Sequence, residues 1–436
     1  MFTLFFAGDR YAPGVNVDGS KWSAPDGPTT TSIQSYLQNQ YFSFVEALAK
    51  TLKDRPNVIG FGTMNEPSNG FVGLDDLRHS PLPVPLYHSS MSGFDSMRLG
   101  SGEALDASYY SSPYNYDSAS RLNPDGRSCW IDPEGGDVWR RAGVYGVDAV
   151  TGERILLRPH HFRLNPGETF LDAFLLPFYE RFHRTVSRIE PRFVVYAEPH
   201  VDVAAPSVPP APPSLDADTF GWAPHWYDAS ALFFQRYDHW MALDVDAGRP
   251  AVTPSLIDGA FRKNLMRLKE SGRVGRTDGS SLHVILGETG VPFDMEDEND
   301  DEDDDEDNDE EENPSKRGTA RKSGIRRPPG PIAALDRTLR AAEYADLDFV
   351  LWNYQHDSGF ALRRDSDSKQ NPGDLWNGED LSIHSRGEPR GLRAAVRPYV
   401  RTLSGRHGAR MRMMRMEAQG HDIRTMRYEV VVVLAP

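Results

Sequence analysis

Two glutamates each stand at the end of a short apolar run. Glu66 closes Ile59-Gly60-Phe61-Gly62-Thr63-Met64-Asn65-Glu66, and Glu288 closes His283-Val284-Ile285-Leu286-Gly287-Glu288. Cleaving a glycosidic bond takes two carboxyl groups. One protonates the departing oxygen; the other attacks the anomeric carbon or activates water. Cleavage with retention puts the two about 5–5.5 Å apart. The neighbours suit the same chemistry. Asn65 can hydrogen-bond a sugar 2-hydroxyl, and Tyr227 can hold Glu288. His225 can tune the proton affinity of the acid, and Trp352 offers a flat apolar face to a sugar ring. A lone glutamate after a strand is usually a solvated loop residue, and Asn-Glu-Pro alone is a weak signal. The ordered set Asn-Glu-Pro, His-x-Tyr, Gly-Glu-Thr-Gly and Trp-Asn, each after an apolar strand, is much harder to reach by chance. Glu198, in Tyr-Ala-Glu-Pro-His, is a rival carboxylate that ranks below this pair. Asp228 reads as a helix cap.

The elements that must carry these groups are legible as patterns. Residues 34–54 place Tyr36, Leu37, Tyr41, Phe44, Leu48 and Leu52 at spacings of three and four, which predicts an amphipathic helix. Further helices are expected at about 168–189, 255–271 and 332–346. Buried strands are expected at 57–63, 192–197, 282–286 and 349–353. Residues 70–165 read as long loops. Continuous apolar strands alternating with helices indicate a parallel α/β fold. Polar residues cluster just past the strand ends, the rim on which (β/α)8 TIM barrels place their chemistry. A doubly wound sheet would also put a site at strand ends. No Gly-rich phosphate loop follows a strand, which argues against a nucleotide site.

Composition excludes several other classes. The 436 residues are 39% hydrophobic and 11% aromatic, enough for a core. The formal net charge of −16 is mostly local: 15 of the 17 residues in 296–312 are acidic, and 313–328 carries six Lys/Arg and no acid. The remainder has an ordinary charge, so neither a nucleic-acid-binding face nor a generally anionic surface is the theme. The acidic run lacks the spaced Gly and terminal Glu of an EF-hand loop, and without apolar residues it reads as a disordered insert. The basic stretch reads as its counter-charge. Mean hydropathy is −0.56, and no apolar run approaches the roughly 20 residues that span a bilayer. Met1–Phe6 is too short for a signal peptide. One cysteine, Cys129, and no Asn-x-Ser/Thr sequon point to an intracellular setting, cytoplasmic or vacuolar.

The ordered motifs resemble glycoside hydrolase family 5. Residues 2–14, 59–73, 351–359 and 374–385 are similar to its fungal branch related to endoglycoceramidases, which includes steryl-β-glucosidases and glucosylceramide-cleaving enzymes. The resemblance covers most of residues 1–400. It implies a retaining mechanism, with Glu66 as acid/base on the fourth barrel strand and Glu288 as nucleophile on the seventh. Asn65, His225, Tyr227, Trp352 and Glu379 are then substrate-binding, with no metal or cofactor. The implied partner is a glycolipid or other β-glucoside, reached through peripheral membrane contact; no nucleic-acid partner is implied. A sterol or ceramide would need an apolar channel. The aromatic-rich stretch 70–145 is either its wall or ordinary packing for long loops.

Only 65 residues precede Glu66, too few for three complete β/α units. The expectation is therefore a partial barrel over 1–295 (about strands 3–7), the insert at 296–328, the end of the barrel at 329–400, and an atypical tail at 401–436 that fits no strand pattern. The first strands and the β-sandwich that follows the barrel in relatives would be missing. The alternatives are an inactive fragment, a glycan- or lipid-binding remnant, or a cellulase-like glycanase.

Overall fold

The computed structural model describes residues 1–18, 21–23, 31–80, 91–112, 115–130, 136–200, 215–273, 281–293, 295, 330–354, 380–385, 388–396, 409–418 and 426–434. Glu379 and the charged insert lie outside the described residues. Two compact units form. The first comprises Met1–Val201, Pro209–Gly221 and Gly275–His283; the second comprises Asp202–Val208, Trp222–Val274 and Val284–Pro436.

In the first unit, helices α1 (Phe2–Tyr11), α2 (Ile33–Leu52) and α3 (Leu176–Ser187) accompany strands β1 (Gly60–Gly62) and β2 (Val194–Ala197). Ser32 starts α2, its hydroxyl accepting the Ser35 N–H at 3.2 Å. Strands β1 and β2 pair in parallel, Gly60 opposite Val194 and Gly62 opposite Tyr196. Gly60 is required there, because a Cβ would fall 1.8 Å from the Val194 carbonyl oxygen.

The buried face of α2 differs from the expected stripe. Ile33, Gln38, Phe42, Val45 and Ala49 face inward, while Phe44 and Leu48 are exposed. The helix is apolar on two sides, and α3 selects one of them. Phe178 of α3 is the hub: its ring centroid lies 5.4–5.9 Å from those of Phe5, Phe6, Phe42 and Tyr41. With Phe178 only 1% exposed, Phe178→Ala is expected to cost about 3–5 kcal/mol of stability. A drop in the urea midpoint reports it, and a midpoint unchanged from wild type contradicts this packing.

Two expectations for the first unit need correction. Residues 2–11, for which no helix was expected, form one whose Leu4, Phe6 and Ala7 are buried. The stretch 70–165 is not all loop. It holds a helix at Gly93–Gly100 and hairpins Leu105–Ser112/Asn115–Leu122 and Tyr145–Val147/Arg154–Leu156. Its described aromatics largely pack on one another. Phe71, Trp139 and Phe162 sit 5.1–5.7 Å apart, with Trp139 and Phe162 buried. Those rings are core rather than channel wall.

Strands β3 (Phe220–Trp222) and β4 (His283–Thr289) lead into the second unit, which adds α4 (Pro254–Glu270), α5 (Gly330–Tyr344) and β5 (Asp348–Leu351). Strands β4 and β5 pair in parallel, Ile285 opposite Asp348 and Leu286 opposite Phe349. Val291, Ala334, Leu335, Leu339 and Ala394 form a core cluster against which Phe293 and Phe349 pack. Asp228 caps Ala229–Phe234 as expected, its Oδ1 accepting the Ser230 and Ala231 N–H groups at 3.0 and 3.3 Å. Burial pushes the Asp228 carboxyl up from the usual carboxylate range. The tail departs from expectation: Ala409–Ala418 and Met426–Leu434 pair as an antiparallel hairpin, and the β-branched run Val430–Val433 favours a strand.

The sheet order is β5-β4-β3-β2-β1. Neighbours in the sheet are neighbours in the chain, with no reversal. That winding is barrel-like, whereas a doubly wound sheet reverses its order at a switch point. The fold is thus an α/β barrel architecture, of which the described residues supply five strands. No earlier strand joins this sheet among the described residues; Asn16–Asp18, Lys21–Ser23 and Thr31–Ser32 form a separate antiparallel sheet. Among the described residues no helix is long and apolar enough to cross a membrane.

Candidate active site

In the first unit the segment that leaves β1 is held by hydrogen bonds on both sides. The Thr63 N–H donates to the Tyr196 carbonyl at 2.9 Å, which extends the β1–β2 pairing by one residue. The Tyr41 hydroxyl donates to the Thr63 carbonyl. Burial, helped by the charge of Glu198, pushes the Tyr41 phenol up to about 12, so it remains a donor throughout the neutral range. Three residues on, Glu66 has φ 43, in the left-handed region. A non-glycine residue held there costs on the order of 1–3 kcal/mol. Its N–H donates to Glu198 Oε2 at 2.9 Å. Hydrogen bonds to charged acceptors contribute about 1.5–3 kcal/mol, enough to offset that strain. The Asn65 and Glu66 side chains are solvent-exposed.

Glu198 follows β2 and is itself fixed. Its N–H donates to Thr63 Oγ1 at 3.3 Å, and its carbonyl accepts the hydroxyl of the buried Tyr179. Burial, with the charge of Glu198, raises the Tyr179 phenol well above its ordinary value. His200 follows, its Nε2 3.3 Å from Asn69 Oδ1.

In the second unit three predicted residues converge. The Tyr227 hydroxyl donates to Glu288 Oε1 at 2.6 Å. His225 Nδ1 lies 3.7 Å from the same oxygen, and both of those side chains are largely buried. The backbone enforces this meeting: His225 and Glu288 form a parallel bridge, the Trp226 N–H donates to the Glu288 carbonyl at 3.1 Å, and the Gly287 N–H donates to the Pro224 carbonyl at 2.9 Å. Gly287 leaves room for that approach, since a Cβ there would fall 2.7 Å from the Ala223 carbonyl oxygen.

Trp352 follows β5 with its N–H donating to the Thr289 carbonyl at 2.7 Å, and its peptide bond to Asn353 is cis. Trp352 is 39% exposed. Asn353 exchanges backbone bonds with Leu381 and Ile383 at 3.1 and 2.9 Å. The segment 380–383 is anchored by a group that sequence reasoning missed. Asp380 is fully buried and pairs bidentately with Arg390 at 2.6 and 2.8 Å, while Phe293 stacks under the guanidinium at 4.7 Å. Nothing in the spacing singles out Asp380 and Arg390 as partners.

The winding of the sheet defines an α/β protein of the (β/α)8 barrel type. Its relatives have glycolipid-cleaving names. A glucosylceramidase of Rhizopus delemar is 28% identical over 411 residues, with 88% of this chain and 51% of the relative covered. The ergosteryl-beta-glucosidase of Saccharomyces cerevisiae is 24% identical over 424 residues, with 88% and 49% covered. A crystal structure of Cryptococcus neoformans sterylglucosidase 1 superposes with a TM-score of 0.68 at 24% identity, over 91% of this chain and 58% of that one. No protein-family model matches the chain. The chain is thus similar to fungal glucosylceramidases and an ergosteryl-beta-glucosidase, the branch its motifs resemble, and it spans about half the length of the curated relatives it matches.

Proposed function

We propose that this chain carries the catalytic strands of a retaining β-glucosidase that removes glucose from a glycolipid, a steryl β-glucoside or glucosylceramide. The observation that carries the proposal is the convergence of Tyr227 and His225 on one oxygen of Glu288 at the end of β4. A nucleophilic carboxylate needs its attacking oxygen oriented and its charge stabilised, and Tyr227 supplies both. Glu66 stands at the matching end of β1, exposed, with Asn65 beside it.

In the first step a Glu288 carboxylate oxygen bonds to the anomeric carbon. The bond from that carbon to the aglycone oxygen breaks, and the Glu66 carboxyl proton goes to that oxygen, releasing the alcohol. In the second step the Glu66 carboxylate takes a proton from water as the water oxygen attacks the anomeric carbon. The ester bond to Glu288 breaks and glucose leaves with retained configuration. Asn65 holds the 2-hydroxyl and Trp352 packs on the sugar ring. Glu379 contributes a further sugar contact. These steps use no metal or cofactor. Contact with substrate held in a bilayer is peripheral, and the setting is intracellular, cytoplasmic or vacuolar.

The test is an assay on ergosteryl glucoside, glucosylceramide and a soluble aryl glucoside side by side. Release of β-glucose from a glycolipid supports the proposal. Preferential cleavage of glucan chains would support a cellulase-like glycanase instead, and saturable binding without any product from all three would mark a binding remnant. Tyr227→Phe is expected to lower kcat about 10- to 100-fold with KM little changed, the equivalent of losing one hydrogen bond to a charged group. An unaltered kcat would remove Tyr227 from the mechanism.

A further inference from the structure

Glu198 is a carboxylate on the same rim, and the reaction above does not use it. We infer that Glu198 is a positioning residue for Glu66: it fixes the left-handed backbone from which the acid/base side chain projects. The inference rests on the assignment of Glu66 as acid/base.

Three observations carry it. The Glu198 side chain accepts the main-chain N–H of Glu66 at 2.9 Å, so it engages the backbone of the acid. Glu66 has φ 43, a conformation that a residue with a Cβ leaves unless its surroundings hold it there. Glu198 is also a rigid post. The Tyr179 hydroxyl bonds its carbonyl, Thr63 Oγ1 accepts its N–H, and the Thr63 N–H returns to Tyr196 two residues before it. The chain entering Glu66 and the chain carrying Glu198 are thus tied together at Thr63, and the carboxylate closes the loop. An acid delivering a proton to a leaving oxygen must meet it within hydrogen-bond reach, and a backbone flip at Glu66 would swing its side chain off that line.

The requirement at position 198 is for a hydrogen-bond acceptor at that point, and Gln keeps one. Glu198→Leu removes it at similar size. The first measurement is amide hydrogen exchange in the whole chain, which needs no turnover. Wild type and Glu198→Gln are expected to protect the Glu66 amide. Glu198→Leu is expected to lose at least about tenfold protection there while the Thr63 amide, bonded to Tyr196, keeps its own. Protection of Glu66 that survives in Glu198→Leu overturns the inference, as does a loss shared equally by Thr63, which would mean general loosening.

The second measurement is kinetic, on aryl glucosides with good and poor leaving groups. Misplacing an acid harms the poor leaving group most. Glu198→Leu is expected to lower kcat about 10- to 100-fold more for the poor leaving group than for the good one, and Glu198→Gln to restore most of it. A uniform rise in KM with both leaving groups would assign Glu198 to sugar binding instead and overturn the positioning role. Glu66→Gln runs beside them: if it shows no leaving-group dependence, the acid/base assignment fails, whereas dependence in Glu66→Gln without any in Glu198→Leu defeats the Glu198 inference alone.

Discussion

Glu288→Gln is expected to fold normally and to lose at least about 10⁴-fold in turnover on every β-glucoside. Removing the nucleophile of a covalent hydrolase has an effect of that order or larger. Gln matches Glu in shape and keeps an oxygen that can accept the Tyr227 hydroxyl, now made at 2.6 Å. The backbone bonds from Trp226 and Gly287 that set the strand end do not involve the side chain at all. The variant therefore isolates chemistry from folding. An amide oxygen is too weak a nucleophile to form the ester, so no glycosyl-enzyme accumulates, however good the leaving group. Two readouts decide the matter. Wild type treated with a 2-fluoro glucoside should gain one sugar mass on the peptide containing His283–Thr289; the variant should gain none. Circular dichroism should superimpose. Near-normal turnover, or a label on another carboxylate, would end the assignment of Glu288 as nucleophile.

Glu66, Glu288 and Trp352 were legible in the sequence because each lies at or just past the end of an apolar run short enough to be one buried strand, and strands form at 60–62, 283–289 and 348–351. The strand at 220–222 that leads to His225 and Tyr227 is only three residues long and was not among the expected runs. Parallel strands buried on both faces need continuous apolar sequence, so the signal is strong wherever the strand is central. What failed to show was whatever depends on a partner far away in the chain. The apolar stripe read on α2 was only partly the buried one: Tyr41 packs on Phe178, but Phe44 and Leu48 face solvent, and the approach of α1 and of Phe178, more than 130 residues later, buries Phe42 and Val45 instead. The salt link of Asp380 to Arg390 was equally invisible: an Arg ten residues downstream in a loop has no periodic relation to its partner. Glu198 lay between these cases. Its place after a strand was plain, but its attachment to the backbone of Glu66 depends on a left-handed residue, and Glu before Pro gives no hint of positive φ. Motifs point to candidate side chains; the groups that aim them are chosen by tertiary contact.

Glu66→Gln separates the two halves of the reaction. General acid catalysis contributes typically 10²–10⁴-fold, and its share grows with the basicity of the leaving oxygen. A sterol or ceramide alkoxide is a poor leaving group, so Glu66→Gln is expected to reduce cleavage of a steryl glucoside by about 10³–10⁴-fold. With a dinitrophenyl glucoside the departing oxygen needs no proton. Glycosylation of Glu288 should then proceed at close to the wild-type rate, and the slow step becomes attack by water, for which Glu66 would have been the base. The intermediate accumulates, giving a burst of dinitrophenolate followed by a slow steady state and a low apparent KM. Azide needs no general base, so added azide should accelerate turnover and yield a β-glucosyl azide. The side chain at position 66 is exposed and its backbone is fixed through the main-chain bond to Glu198, so the substitution should leave thermal stability within about 0.5 kcal/mol of wild type. Equal losses on activated and unactivated substrates, with no azide effect, would show that Glu66 binds sugar rather than moving the proton, and the acid/base would then have to be sought among the other carboxylates of the rim.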